Sequence, residues 1–187
     1  MKQHRLFTAP VTVIAVLLAI FIAAPAPVLA QNEAGLEASS RAALSTLKAS
    51  TPLAGTLEQR AYAVLVFPDV TKAGFLIGGE YGNGTLFRGG KIAGYYNTAG
   101  VSYGLQAGAQ TFGYAMFFMN ERAFQALNAA EGFQIGAGPS VVVMDEGKAK
   151  SVTTATLTSD VYAFVFGQQG LMAGVGLEGT KITKLKR

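Results

Sequence analysis

The chain has 187 residues, with 15 Lys or Arg against 11 Asp or Glu, a formal net charge of +4, no cysteine and a single histidine. So mild a charge does not mark a nucleic-acid binder, and the lack of cysteine removes disulfides and thiol chemistry. The one histidine is His4, inside the leader described next, so no Ser-His-Asp or Cys-His constellation can be built beyond it, and a zinc site would need carboxylates alone. Neither an enzyme nor a cofactor is expected.

Residues 1–30 have the form of a secretory signal. Lys2, His4 and Arg5 make a basic start, Val11 to Ala24 is an apolar run, Pro25 and Pro27 break it, and Val28-Leu29-Ala30 supplies small residues before a cut at Gln31. The run is shorter than the roughly 18 residues that a membrane-spanning helix needs. Export to a periplasm or beyond is therefore the expected address. Removing Lys2 and Arg5 leaves 13 basic residues against 11 acidic ones, a net charge of +2.

From Asn32 to Ser50 the period is helical: Leu36, Ala43, Leu44 and Leu47 share one side, and Glu37, Arg41, Ser45 and Lys48 share another. Pro52 stops this helix, and Leu53, Leu57 and Ala61 at steps of four predict a second short one. The first stripe has two readings, a core face packed on the rest of the domain or a helix lying in a membrane interface. Since it carries no Phe or Trp, it would hold a membrane only weakly by itself.

Tyr62 to Phe67 is a continuous apolar run closed by Pro68-Asp69, which predicts a fully buried strand and then a turn. Between Gly74 and Gly113 lie twelve of the 23 glycines, interrupted throughout by large apolar residues such as Phe75, Ile77, Tyr81, Leu86, Phe87, Tyr95 and Tyr96. Such density predicts bends, bulges and close backbone approach in a strongly curved sheet. Gly78 to Gly84 reads as a strand end with a tight turn at Asn83-Gly84. Strands continue through Val101–Leu105 and Phe112–Met119. Asn120 then caps a helix with Ala123, Phe124 and Leu127 on its apolar side, ended by Gly132. Strands resume at Phe133–Pro139 and Val141–Met144, with a turn at Asp145-Glu146-Gly147 into Val152–Leu157. A last hairpin runs Val161–Phe166, turns at Gly167–Gly170 and returns over Leu171–Leu177.

Gly174-Val-Gly-Leu-Glu-Gly179 matches a G-x-G-x-x-G string, but only eight residues follow, too few for the helix and crossover strand that a dinucleotide site requires. Glycines packing a curved strand are the better explanation. Asp145 and Glu146 are adjacent carboxylates in a hairpin-turn composition, and adjacent strand residues face opposite ways, so they do not suggest acid–base chemistry. The cations are more suggestive: Lys72, and the Arg88-Gly-Gly-Lys91 stretch, bracket the glycine-rich segment, and Lys181, Lys184, Lys186 and Arg187 end the chain. Gathered by the sheet, they would form a patch for lipid phosphates or another polyanion; otherwise they are solvated surface charge.

Lys72-Ala-Gly-Phe-Leu-Ile-Gly-Gly-Glu-Tyr-Gly-Asn-Gly84 and Gln169-Gly-Leu-Met-Ala-Gly-Val-Gly-Leu-Glu-Gly-Thr180 resemble the signature ends of the SYLF family, across about Ala61 to Lys184. That family comprises bacterial secreted proteins and eukaryotic endocytic proteins that bind phosphoinositide membranes and actin. The resemblance implies a non-enzymatic lipid-binding domain and a role for its first helix at the bilayer. With a secretory start, an anionic phospholipid membrane is the expected partner in place of phosphoinositides or actin. Headgroup contact is expected at Lys72, Arg88 and Lys91, with Arg41, Leu44, Leu47 and Lys48 as an interfacial helix. Two other readings stand beside it: a carrier holding a small apolar ligand in a β-barrel pocket, prompted by the many Phe and Tyr, and an envelope scaffold bound to a protein partner. The fold class expected is α+β and mainly β: one domain over 31–187, with helices in 32–61, a strongly curved or barrel-like antiparallel sheet in 62–187, and one helix near 120–131.

Overall fold

The computed structural model describes residues 33–129, 131–144, 157–170 and 177–186, without the side chains of 75–76 and 102–107. The secretory-type leader, the 145–147 turn, most of the 152–157 and 171–177 strands and the first half of the G-x-G-x-x-G string lie outside them. Gln31–Arg187 forms one compact unit. Its described elements are α1 (Glu33–Ser50), α2 (Pro52–Arg60), β1 (Ala63–Arg88), β2 (Lys91–Phe118), α3 (Glu121–Leu127), β3 (Phe133–Gln134), β4 (Val141–Met144), β5 (Val161–Gly170) and β6 (Lys181–Lys184). The fold is mainly β, a single curled half-barrel sheet with three helices, as the patterning predicts.

The frame is one long hairpin. β1 and β2 pair antiparallel from Ala63↔Phe118 to Arg88↔Lys91, and β2 carries β5 and β6 along its other edge. The turn is Gly89-Gly90, both with positive φ (57° and 75°), which is where a two-residue hairpin needs glycine. Asn83-Gly84 is therefore no turn: Asn83 pairs with Asn97 and Gly84 with Tyr96 inside the ladder. Nor does Pro68-Asp69 end the strand. The register shifts between Phe67 and Val70, so the proline sits in a bulge, where its missing N–H does no harm, and β1 continues.

Two further register shifts, at Phe75/Ile77 and Leu86/Phe87, curl the hairpin. A Cβ on Gly74 would lie 2.2 Å from the Gly78 Cα, one on Gly82 2.8 Å from the Asp69 carbonyl oxygen, and one on Gly84 2.6 Å from Phe67 Cδ1. The second half of β1 thus folds over its first half at contact distances that only glycine permits.

Alternation along β1 divides the apolar residues between two faces. Leu65, Phe67, Val70, Phe112, Tyr114, Met116 and Phe118 form the inner cluster with Leu127 of α3 and Ile182 of β6. Val64, Val66, Phe87, Ala115, Phe117 and Phe164 form the outer one, under Leu44 and Leu47 of α1 and Ala54 and Leu57 of α2. Both faces are covered, so the sequence there is apolar without a period-two pattern. These two clusters account for most of the aromatic residues.

Asn120 caps α3 as expected, its side-chain oxygen accepting from the Ala123 N–H at 2.9 Å. The helix nevertheless ends at Leu127, five residues before Gly132, with Asn128 as its C-cap, and turns carry the chain on to Gly132. Positive φ at Gly136 and Gly138 leaves β3 only two residues long. The expected Gly167–Gly170 turn is instead strand: Gln169 pairs with Thr111 and Gly170 with Gln110, across a bulge where Gly167 has φ 62°. β4 pairs with β5 in parallel, so the sheet is mixed rather than wholly antiparallel. The sixteen residues between those strands exceed the dozen that a parallel crossover requires.

Candidate functional site

The hairpin turn is where cations gather. Arg88 and Lys91 form its closing pair, both exposed. The Arg88 guanidinium lies 4.2 Å from the Tyr62 ring centre and 5.3 Å from that of Phe124, and donates to the Tyr62 hydroxyl. Held by two aromatic rings, it is a positioned charge rather than a free one. The chain end comes alongside the start of β2. β6 runs antiparallel to β2 with Lys184 opposite Tyr96, and the Leu185 N–H donates to the Tyr95 carbonyl at 2.9 Å, so the chain beyond β6 follows the first part of β2. A groove of about 760 Å³ lies there, lined by Ile92, Tyr95, Asn128, Lys184, Leu185 and Lys186. Asn128 anchors its wall: its Oδ1 accepts from the Tyr96 hydroxyl at 2.8 Å and from Lys184 Nζ at 3.5 Å. Burial pushes the Tyr96 phenol up to about 12, so it remains a donor throughout the neutral range.

Arg41 and Lys48 converge on a second, smaller cleft of about 330 Å³ between α1, α2 and the glycine turn. Arg41 pairs with Glu37 at 2.9 Å, donates to the Gly90 carbonyl at 3.2 Å and lies 4.7 Å from the Phe87 ring centre; Lys48 pairs with Glu58 at 2.7 Å. Leu44 and Leu47, expected beside them at a membrane surface, are 6% and 2% exposed and packed on the sheet. Of the two readings of the α1 stripe, the structure shows the core face. Burial against β1 leaves these leucines no lipid contact in this conformation.

Lys72 does not join Arg88 and Lys91. It faces inward from β1 opposite Gln110, 8% exposed. Sequence proximity to the glycine segment suggested a bracket, but the sheet turns this position into the curl. Sequence reading missed the groove residue Asn128, which has no signal beyond a helix-end amide.

Acids are used structurally. Asp160 accepts from Asn120 at 2.8 Å, from Arg122 at 2.7 Å and from the Ser140 backbone at 3.2 Å, and these donors hold its carboxyl down at about 2. Burial drives the Tyr114 phenol well above its ordinary value, with its hydroxyl donating to Thr98 at 2.6 Å. Among the described residues no group of three or more His, Cys, Asp or Glu could hold a metal, and no helix is long and apolar enough to cross a membrane.

A curled sheet with cations around one hairpin end has the make-up of a binding module. Residues 99–187 match the family described as Ysc84, Las17-binding protein actin regulator, and that match supports the SYLF resemblance. Domains of this family are of the lipid- and actin-binding type. The match begins within β2, so β1 and its cations Lys72 and Arg88 lie before it. No curated protein matches the chain.

Proposed function

We propose that this protein is an exported, non-enzymatic domain that associates with anionic phospholipid membranes through the hairpin end. The observation that carries this reading is that Lys184 and Lys186 line a groove whose wall begins at Ile92, next to the hairpin-closing pair Arg88 and Lys91. Each basic side chain near an anionic surface contributes about 1 kcal/mol, and the attraction decays within a Debye length. Apolar Ile92 and Leu185 in the groove would meet the acyl boundary. Arg41 and Lys48 extend the same positive end but are each matched by a carboxylate. Export rests on the basic, apolar and small-residue order of 1–30, and N-terminal sequencing of the protein from its native host should begin at Gln31.

The test is co-sedimentation with neutral and anionic vesicles at low and high salt. Binding is expected to anionic vesicles only, to weaken with salt, and to fall at least tenfold when Arg88, Lys91, Lys184 and Lys186 are all changed to Gln. Equal binding to neutral vesicles, or an unaffected quadruple variant, would overturn the reading.

A further inference from the structure

Six polar side chains are buried on the inner face of the curl or at its rim: Lys72, Glu80, Thr98, Gln110, Tyr114 and Thr180. Four of them satisfy one another. Tyr114 donates to Thr98 and Thr180 donates to Glu80, each at 2.6 Å. Lys72 and Gln110 stand apart. Both atoms of the Gln110 carboxamide are buried without a partner, and Lys72, whose Nζ is not buried as that amide is, has no ion pair or side-chain hydrogen bond among the described residues. Glu80, the one carboxylate buried among the described residues, is committed to Thr180 and forms no ion pair with Lys72.

Lys72 and Gln110 are directly opposed in the β1–β2 ladder, so they share a face with Cβ atoms about 5 Å apart. On one side of them is the Val70↔Phe112 pair, both residues fully buried, and on the other is Gly74↔Gly108. Neither neighbouring pair offers a polar side chain. An amide left unpaired at such depth carries a desolvation cost that native folds rarely leave uncompensated, and Lys72 places a cation directly opposite it.

We propose that Lys72 and Gln110 form a binding site for an oxyanion, a carboxylate or a phosphate group, inside the curled sheet. Lys72 would donate from its ammonium and Gln110 from its Nε2, while the Gln110 Oε1 takes a hydroxyl or water of the ligand. The site is separate from the exposed cations at the hairpin end, and the ligand enters as a group of small cross-section rather than as a membrane surface.

Thermal unfolding of the full chain is measured in octanoate, in inorganic phosphate and in chloride at matched ionic strength. The melting temperature is expected to rise by about 5–10 °C at a hundredfold excess over Kd in octanoate or in phosphate, relative to chloride. The salt that acts identifies the source of the oxyanion. Lys72→Met should abolish the rise, Lys72→Arg should retain part of it, and Gln110→Leu should reduce it; circular dichroism checks that each is folded. Arg88→Gln with Lys91→Gln should leave it unchanged while weakening vesicle binding, so this site and the membrane reading fail separately. No rise in either salt would mean that water alone fills the position, and a rise that persists in Lys72→Met would place the anion on the surface; either overturns the proposal.

Discussion

Thr180 and Glu80, 100 residues apart in sequence, share a buried hydrogen bond of 2.6 Å from the threonine hydroxyl to the carboxylate. It ties the residue just before β6 to the middle of β1, and so fastens the chain end onto the curled hairpin. Thr180→Val keeps the shape and removes the donor. A carboxylate left buried without it costs about 1–3 kcal/mol. Denaturant unfolding should show that loss with an unchanged slope; full stability in the variant would mean that Glu80 finds another donor.

The glycines of β1 should divide by what surrounds them. A Cβ at Gly84 would sit 2.6 Å from both Phe67 Cδ1 and the Val66 carbonyl oxygen, whereas at Gly55 in α2 nothing lies within 4 Å. Gly84→Ala is expected to destabilise by about 1–3 kcal/mol. Gly55→Ala is expected to stabilise by about 0.5–1 kcal/mol, since a helix interior favours alanine. Opposite signs in paired melts would support the folded-over strand, and two equal shifts would argue against it.

Leu47→Ala tests the role of α1. At 2% exposure in the outer cluster, the side chain should cost about 2–5 kcal/mol on truncation. Vesicle binding per folded molecule should not change. A variant of normal stability that no longer binds vesicles would return α1 to the membrane interface.

Acid stability should depend on Asp160. Its folded carboxyl titrates near 2 against an ordinary value of 3.8, so its contribution is complete above about pH 4 and is lost as the pH falls from there toward 2. Asp160→Asn should be less stable at neutral pH and should show a flatter decline across that window. An identical acid limb in both proteins would assign the decline to other carboxylates.

The fold class was legible because it depends on local pattern. The apolar run at Tyr62–Phe67, the glycine density between Gly74 and Gly113 and the Asn120 cap each constrain the chain within a few residues, and β1, the curl and α3 follow from them. The family resemblance was legible for a related reason, since its motifs at 72–84 and 169–180 are glycines with apolar neighbours, and the match over 99–187 supports it.

Position along a local pattern does not say where a bend stops or which faces meet. Asn83-Gly84 has turn chemistry, yet the register set by three bulges moves the turn to Gly89-Gly90. Lys72 and Arg88 are both cations on β1, but the curl buries one beside Gln110 and sets the other on Tyr62 at the rim. Leu44 and Leu47 form an amphipathic stripe that suits lipid or core alike, and the apolar outer face of the sheet decides for core. The sequence by itself determined a glycine-curled sheet with flanking helices, because those signals are short-range. Only the tertiary structure decided which cations stand together, because that depends on register and strand alternation summed over more than eighty residues between β1 and β6.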